Sequence, residues 1–255
     1  TVLVNSLFPH QLASICTKHN SRLIQLSTDC IYSGTKGFYK EEDISDALDL
    51  YGRSKFLGEV NLDNVITLRK STIGLELDSN HGLIEWFLKQ RNAVKGYTKA
   101  IYSGFTSVVL AEVVEKIIVE QRSLSGIWNL ASSPISKFDL LNKLLDRLDK
   151  FEIEIVPDDK ININRSLDPG KFREVTGFIS PSWDDMLDQL AEEINTILKT
   201  EIEEHKATQR KLKETQDFAR NIIDSSIDMI IAVDQDFNIT EFNTAAQQQF
   251  GFELG

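Results

Sequence analysis

Apolar positions along the first 180 residues alternate between two periods. Short β-branched runs, RLIQLS (22–27), NVITLR (64–69), GIWNLA (126–131) and FEIEIV (151–156), read as strands. Between and around them, apolar residues recur at three- and four-residue steps in PHQLASICTKH, YGRSKFLGEVNL, GLIEWFLKQR, VVLAEVVEKIIVEQ and SKFDLLNKLLDRLDK. These stretches read as helices that bury one face, the last with Ser136 as its N-cap. Strands alternating with helices in this way predict an α/β layered domain with a parallel sheet. Another helix starts at SWDDMLDQLAEEI, after Pro181.

The pattern changes near residue 198. Ten of the nineteen residues from 199 to 217 are charged, which is not core-forming sequence. A seam of Leu198, Ile202, His205, Gln209, Leu212, Gln216, Ala219 and Ile223 nevertheless keeps the alternating four–three step of a coiled coil, with half its positions polar or small. A solvated connecting helix and a homodimer seam over 198–223 both fit. Beyond it, DSSIDMIIAVDQDFNITEFNTAAQQQFGFELG reads as strand, turn at DQDFN, strand and the start of a helix. That length is below the roughly 40 residues that fold without staples, so it is expected to open a second domain. The expected division is 1–185, a helical linker over 186–223, and the beginning of an α+β domain over 224–255.

Composition narrows the classes of function. With 255 residues, 41% of them hydrophobic, the chain can bury a sizeable core. A net charge of −11 argues against a surface that neutralises phosphates, so no nucleic-acid partner is expected. Cys16 and Cys30 form no CxxC pair, and His10, His19, His81 and His205 are scattered, so neither a disulfide framework nor a metal site is expected. A reducing cytoplasm fits this usage. No apolar run approaches the ~20 residues of a membrane span. The chain opens at Thr1, without a methionine.

Chemistry enters with DLYGRSKFLGEV. Tyr51 and Lys55 stand four apart, but the same spacing recurs at Tyr32 and Lys36, in YSGTKG. Gly34 and Gly37 make the latter segment a turn, whereas the residues after Tyr51 keep helical intervals through Phe56, Leu57 and Val60. Tyr51 and Lys55 are therefore expected to share a face one turn apart. An ammonium beside a phenol favours the phenolate, which suits proton transfer. Upstream, the apolar strand LIQL ends in Ser27, Thr28 and Asp29. The carboxyl end of a parallel strand is where open α/β sheets bind ligands, although these residue types also initiate ordinary turns.

Taken together, STDCIYSG, YKEED and YGRSKFLGE resemble the extended short-chain dehydrogenase/reductase family, in the branch of the dTDP-4-dehydrorhamnose reductases and related nucleotide-sugar reductases, epimerases and dehydratases. VITLRKSTIG, GIWNLASSPISKFDLL and RSLDPGKFREVTGFISPSWDDML resemble later segments of that branch, so the likeness covers about residues 1–190. It implies a Rossmann-like, doubly wound parallel sheet with a small substrate lobe, NAD(P)H as cofactor and a nucleotide-sugar substrate carrying a keto group. Tyr51 matches the general acid, and Lys55 the lysine that lowers its pKa and holds the nicotinamide ribose. Thr28 matches the hydroxyl on the substrate carbonyl, Asp29 its polar neighbour, and Asn5 a structural asparagine. Ser27, Ser71 and Thr72 match positions beside the cofactor. Cys30 stands where rhamnose-type reductases carry an aromatic residue, which leaves the exact sugar open. Lys99 and Tyr102, with Arg91 and Lys95, fall where the substrate lobe meets a diphosphate.

No G-x-G-x-x-G or G-x-x-G-x-x-G occurs in the chain. The sheet is therefore expected to be partial, lacking its N-terminal half, and the chain inactive without that half. The C-terminal stretch resembles a signalling helix entering a PAS sensor domain, with Asn243 and FGF (250–252) matching an N-x-A-x-x-x-x-F-G region. That likeness implies bacterial signal transduction. The alternatives to a reductase are an epimerase or dehydratase of the same family, or a signalling protein that uses the reductase-like part as a sensor module.

Overall fold

The computed structural model describes residues 1–76, 82–149, 153–228, 230–235 and 239–251. The chain divides into two compact units, Thr1–Asn195 and Thr196–Gly255. In the first, a π-helical turn over Leu3–Leu7 runs into α1 (Phe8–Lys18), followed by β1 (Leu23–Leu26), α2 (Leu50–Leu57), β2 (Val65–Arg69), β3 (Thr72–Ile73), α3 (Leu83–Leu88), β4 (Val94–Tyr102) and β5 (Phe105–Thr106). Then come α4 (Ser107–Glu120), β6 (Gly126–Asn129), β7 (Ile135–Ser136), α5 (Lys137–Leu145), β8 (Ile155–Asn164), α6 (Gly170–Thr176) and the start of α7 (Trp183–Ser225), whose residues from 196 on belong to the second unit.

The expected parallel sheet is present as β1-β2-β6, with Leu23 opposite Val65 and Ile66 opposite Gly126. All five residues of β2 are buried, as a central parallel strand covered on both faces requires. A second three-stranded sheet has the order β7-β4-β8. Its β4 was not legible, because VKGYTKAIY mixes lysines and a glycine into a run without clean alternation. Its β8 begins later than FEIEIV suggested and continues through Pro157; residues 150–152 lie outside the described residues. An edge strand tolerates that proline, and the strand order makes β8 an edge.

α2 also differs from expectation. It stops at Gly58 and buries Gly52 and Ser54, while Phe56 and Leu57 are exposed. A Cβ on Gly52 would collide with the Cys30 carbonyl, and one on Gly58 with the Asn5 carbonyl. The helix therefore packs by close backbone approach rather than by an apolar stripe. Val60 reaches the core from the segment after the helix, against Ala13 and Val65. Ser136 caps α5 as expected, accepting the Asp139 N–H at 3.0 Å.

The first turns of α7 bury Trp183, Met186, Leu187, Leu190 and Ile194. In the second unit, β9 (Ile231–Val233) pairs antiparallel with β10 (Ile239–Phe242), followed by α8 (Thr244–Phe250). Part of the DQDFN turn and Phe252 lie outside the described residues, as does His81 of the first unit. Asn243 ties this unit together. Its amide donates to the carbonyls of Ile223 and Asp228, both at 2.9 Å, and its Oδ1 accepts the N–H groups of Ile230 (2.9 Å) and Ala246 (3.1 Å). One buried side chain thus satisfies a carbonyl in the last turn of α7 and caps α8. No helix among the described residues is long and apolar enough to cross a membrane.

Candidate active site

The site grows from the carboxyl end of β1. There the chain turns sharply, and Thr28 caps the turn by accepting the Cys30 N–H at 3.1 Å while its hydroxyl donates to Asp29 Oδ1 at 3.2 Å. Asp49 caps α2 by accepting the Gly52 N–H at 2.8 Å, which presents Tyr51 in the first turn. The phenol is half exposed and lies beside the Thr28 hydroxyl. One turn on, Lys55 Nζ donates to the Leu26 carbonyl at 2.8 Å, at the end of β1. Thr28, Tyr51 and Lys55 are thereby gathered at one strand end.

The electrostatics depart from expectation in sign. Partial burial raises the Tyr51 pKa; the Thr28 hydroxyl opposes the rise, whereas Cys30, Asp29 and Asp49 add to it. The phenol therefore sits above its ordinary value rather than below it. Burial lowers the Lys55 pKa, opposed by Glu59. Burial likewise raises the Asp29 carboxyl against the pull of Arg165 and Lys70, and raises the Cys30 thiol.

Beside this strand end lies a cleft of about 370 Å³ whose lining includes Asp29, Cys30, Ser71, Thr72 and Tyr102. Two of its hydroxyls, Tyr102 OH and Thr72 Oγ1, are buried without a hydrogen-bond partner among the described residues. Arg165, Lys137 and Tyr97 also line it and were not foreseen. Arg165 arrives from just after β8, donating to the Tyr32 carbonyl at 2.9 Å and approaching Cys30 Sγ at 3.5 Å. A separation of 135 residues left no local signal for that contact.

Two sequence-predicted residues are placed otherwise. Lys99 does not line the cleft: the β4–β8 register slips between Tyr97 and Lys99, and its ammonium pairs with Asp159 at 3.1 Å in solvent. Ser27 is buried, and its hydroxyl is committed to Glu59 Oε1 at 2.7 Å rather than facing the site. That glutamate belongs to an unforeseen network. Arg69 holds it with Nη2 on Oε2 at 2.8 Å and Nε on Oε1 at 3.0 Å, both side chains being almost wholly buried. Nη1 of the same guanidinium donates to Tyr32 OH at 2.8 Å. Asn5 donates to Ser54 Oγ at 3.2 Å, a structural contact behind α2.

Residues 1–196 match the RmlD substrate binding domain. The chain belongs to that family. Residues 217–254 match the PAS fold, so a PAS segment follows the RmlD domain. A dTDP-4-dehydrorhamnose reductase from Aggregatibacter actinomycetemcomitans is 33% identical over 146 residues, 53% of this chain and 50% of the reductase. A probable low-salt glycan biosynthesis reductase, Agl14, from Haloferax volcanii is 35% identical over 91 residues, 32% of this chain and 30% of Agl14. The chain thus matches half or less of the length of these relatives.

Among solved structures, a dTDP-4-dehydrorhamnose reductase from Bacillus anthracis, in complex with NADP, superimposes with a TM-score of 0.63 at 19% identity, covering 74% of this chain and 72% of that one. A hypothetical dTDP-4-dehydrorhamnose reductase from Sulfolobus tokodaii gives 0.59 at 26% identity, covering 72% and 69%. The RmlD fold of the first unit agrees with both. Among the described residues no group of three or more His, Cys, Asp or Glu could hold a metal.

Proposed function

We propose that the RmlD domain carries the acid/base and substrate-binding side of an NAD(P)H-dependent reduction of a nucleotide-linked keto sugar, of the dTDP-4-dehydrorhamnose type. The observation that carries it is the convergence of Thr28, Tyr51 and Lys55 at the end of β1, beside a cleft with two unpartnered buried hydroxyls.

A nicotinamide held there would supply the hydride, with its electron pair, for the carbonyl carbon. Tyr51 gives the carbonyl oxygen its proton, so C=O becomes CH–OH. The phenol carries its proton near neutral pH, as a donor must, although burial makes it a weaker acid than a free phenol. The Thr28 hydroxyl stands beside that phenol and would hydrogen-bond the same oxygen on turning its proton away from Asp29. An ammonium has three donors; Lys55 uses one on Leu26, which leaves two for ribose hydroxyls. Arg165 and Lys137 supply positive charge for a diphosphate, and Tyr102 OH and Thr72 Oγ1 gain partners when the cleft fills. A glycine-rich turn for the cofactor pyrophosphate would add beyond β1, at the edge of the sheet. On this reading the RmlD domain is inactive without such a unit.

The test is stoichiometry in the full-length protein with a dTDP-4-keto sugar. One NAD(P)H consumed per sugar reduced supports a reductase. Turnover without net cofactor consumption would instead mark an epimerase or dehydratase, and neither turnover nor nucleotide-sugar binding would overturn the family activity here. A second reading, a sensory protein that uses the RmlD domain as an input module, is favoured by Asn243, which fastens the end of α7 to the C-terminal hairpin.

A further inference from the structure

The surface with no role so far is the stretch of α7 from residue 202 to 220. Every side chain there is exposed, including Ile202, Leu212 and Phe218, the last at 67%. A helix in a protein gains most of its stability by packing an apolar face. The seam places Leu198, His205, Leu212 and Ala219 at d positions of a heptad, and Ile202, Gln209, Gln216 and Ile223 at a.

The flanking positions indicate what covers this face. The e positions hold Lys199, Lys206, Lys213 and Arg220, one basic residue in each of four successive heptads. The g positions hold Glu201, Thr208, Thr215 and Ile222, none of them basic. In an antiparallel pair e faces e, which sets four basic residues against four. In a parallel pair e faces g, which sets them against a glutamate and uncharged side chains. The polar a positions act in the same direction, because Gln209 and Gln216 meet their own counterparts only when the helices are in register.

We propose that residues 198–223 form a parallel, in-register two-stranded coiled coil with a second copy of this chain, its orientation set by the basic e positions. The pairing brings two β9–β10 hairpins to the same end of the coil. It rests on the helix alone and stands or falls independently of the reductase reading.

The test uses the full chain with Cys16→Ser and Cys30→Ser, to which single cysteines are added. Leu212→Cys, on the seam, is expected to oxidise to a disulfide dimer about tenfold faster or more than Glu214→Cys, on the outer face. A mixture of Ile202→Cys and Ala219→Cys is expected to give 202–202 and 219–219 links. Mixing the chain whose four e positions are changed to Glu with the unmodified chain should reverse this, making 202–219 links dominant between the two, because an antiparallel pair sets a against d. Predominant 202–219 links without the charge change, or their failure to appear with it, would overturn the orientation. Equal oxidation at 212 and 214, or a chain that sediments as a monomer at about 100 µM, would overturn the coil itself.

Discussion

Two segments of the RmlD domain carry the same Tyr-x-x-x-Lys spacing and do opposite things with it. Tyr32 is wholly buried, stacked on Tyr39 with ring centroids 4.0 Å apart, and its hydroxyl is used twice, accepting from Arg69 at 2.8 Å and donating to the Lys40 carbonyl at 3.0 Å. Burial drives its pKa far up, and Lys36 turns away to Asp43 at 2.6 Å. Tyr51 is half exposed, with a hydroxyl beside it and Lys55 anchored one turn on. Spacing is common to both segments; what separates them is whether the phenol is already committed. Tyr32 is structural because its hydrogen bonds are filled. Tyr51 is free for the proposed chemistry because its half-exposed phenol stands at the end of β1, beside Thr28, on a capped helix start.

The largest effect is expected beneath the structural pair. Arg69→Met leaves Glu59 buried without its guanidinium and Tyr32 without its donor, and should cost about 3–5 kcal/mol in urea unfolding. Tyr32→Phe removes only the hydroxyl, strands the Arg69 donor and the Lys40 acceptor, and should cost about 1–3 kcal/mol. Tyr51→Phe, measured the same way, should stay within about 0.5 kcal/mol. Equal losses for the two tyrosines would erase the distinction between them.

These side chains also show what was legible. The helix after Tyr51 and the polar end of β1 are local patterns, so the placement of Thr28, Tyr51 and Lys55 was readable from the sequence. The glycines flanking Tyr32 marked the second spacing as a turn. Glu59, Arg69 and Arg165 were not readable, because each acts through a partner supplied by another element. The bond from Ser27 was hidden for the same reason: nothing local shows that Glu59 waits beneath it. The β7-β4-β8 sheet was read only in part because strands carrying lysines, a glycine and a proline leave no clean period, and the direction of the Tyr51 shift followed burial and its neighbours rather than the lysine.

A smaller effect is expected from pH. Burial raises the Asp29 pKa, so the native chain binds that proton more tightly than the unfolded chain does. Stability from this group is therefore lost as pH rises from the unfolded value of about 3.9 through the higher native one. Asp29→Asn removes that loss, so its stability relative to the parent should climb across this interval and level off above it, as read from urea midpoints at a series of pH values. A small effect is also expected at the other lysine. Lys36→Met breaks a surface pair with Asp43 and should change stability by about 0–1 kcal/mol, less at high salt.

The distinction between the two tyrosines is tested most directly by turnover. Initial rates of NAD(P)H oxidation with a dTDP-4-keto sugar should be compared for Tyr51→Phe and Tyr32→Phe in the full-length protein, each corrected for its folded fraction. Tyr51→Phe is expected to lose about 100-fold or more, as removal of a general acid does, while Tyr32→Phe stays within a few-fold of the parent. Retained turnover in Tyr51→Phe, or an equal loss in both variants, would contradict the assignment of chemistry to Tyr51 and structure to Tyr32.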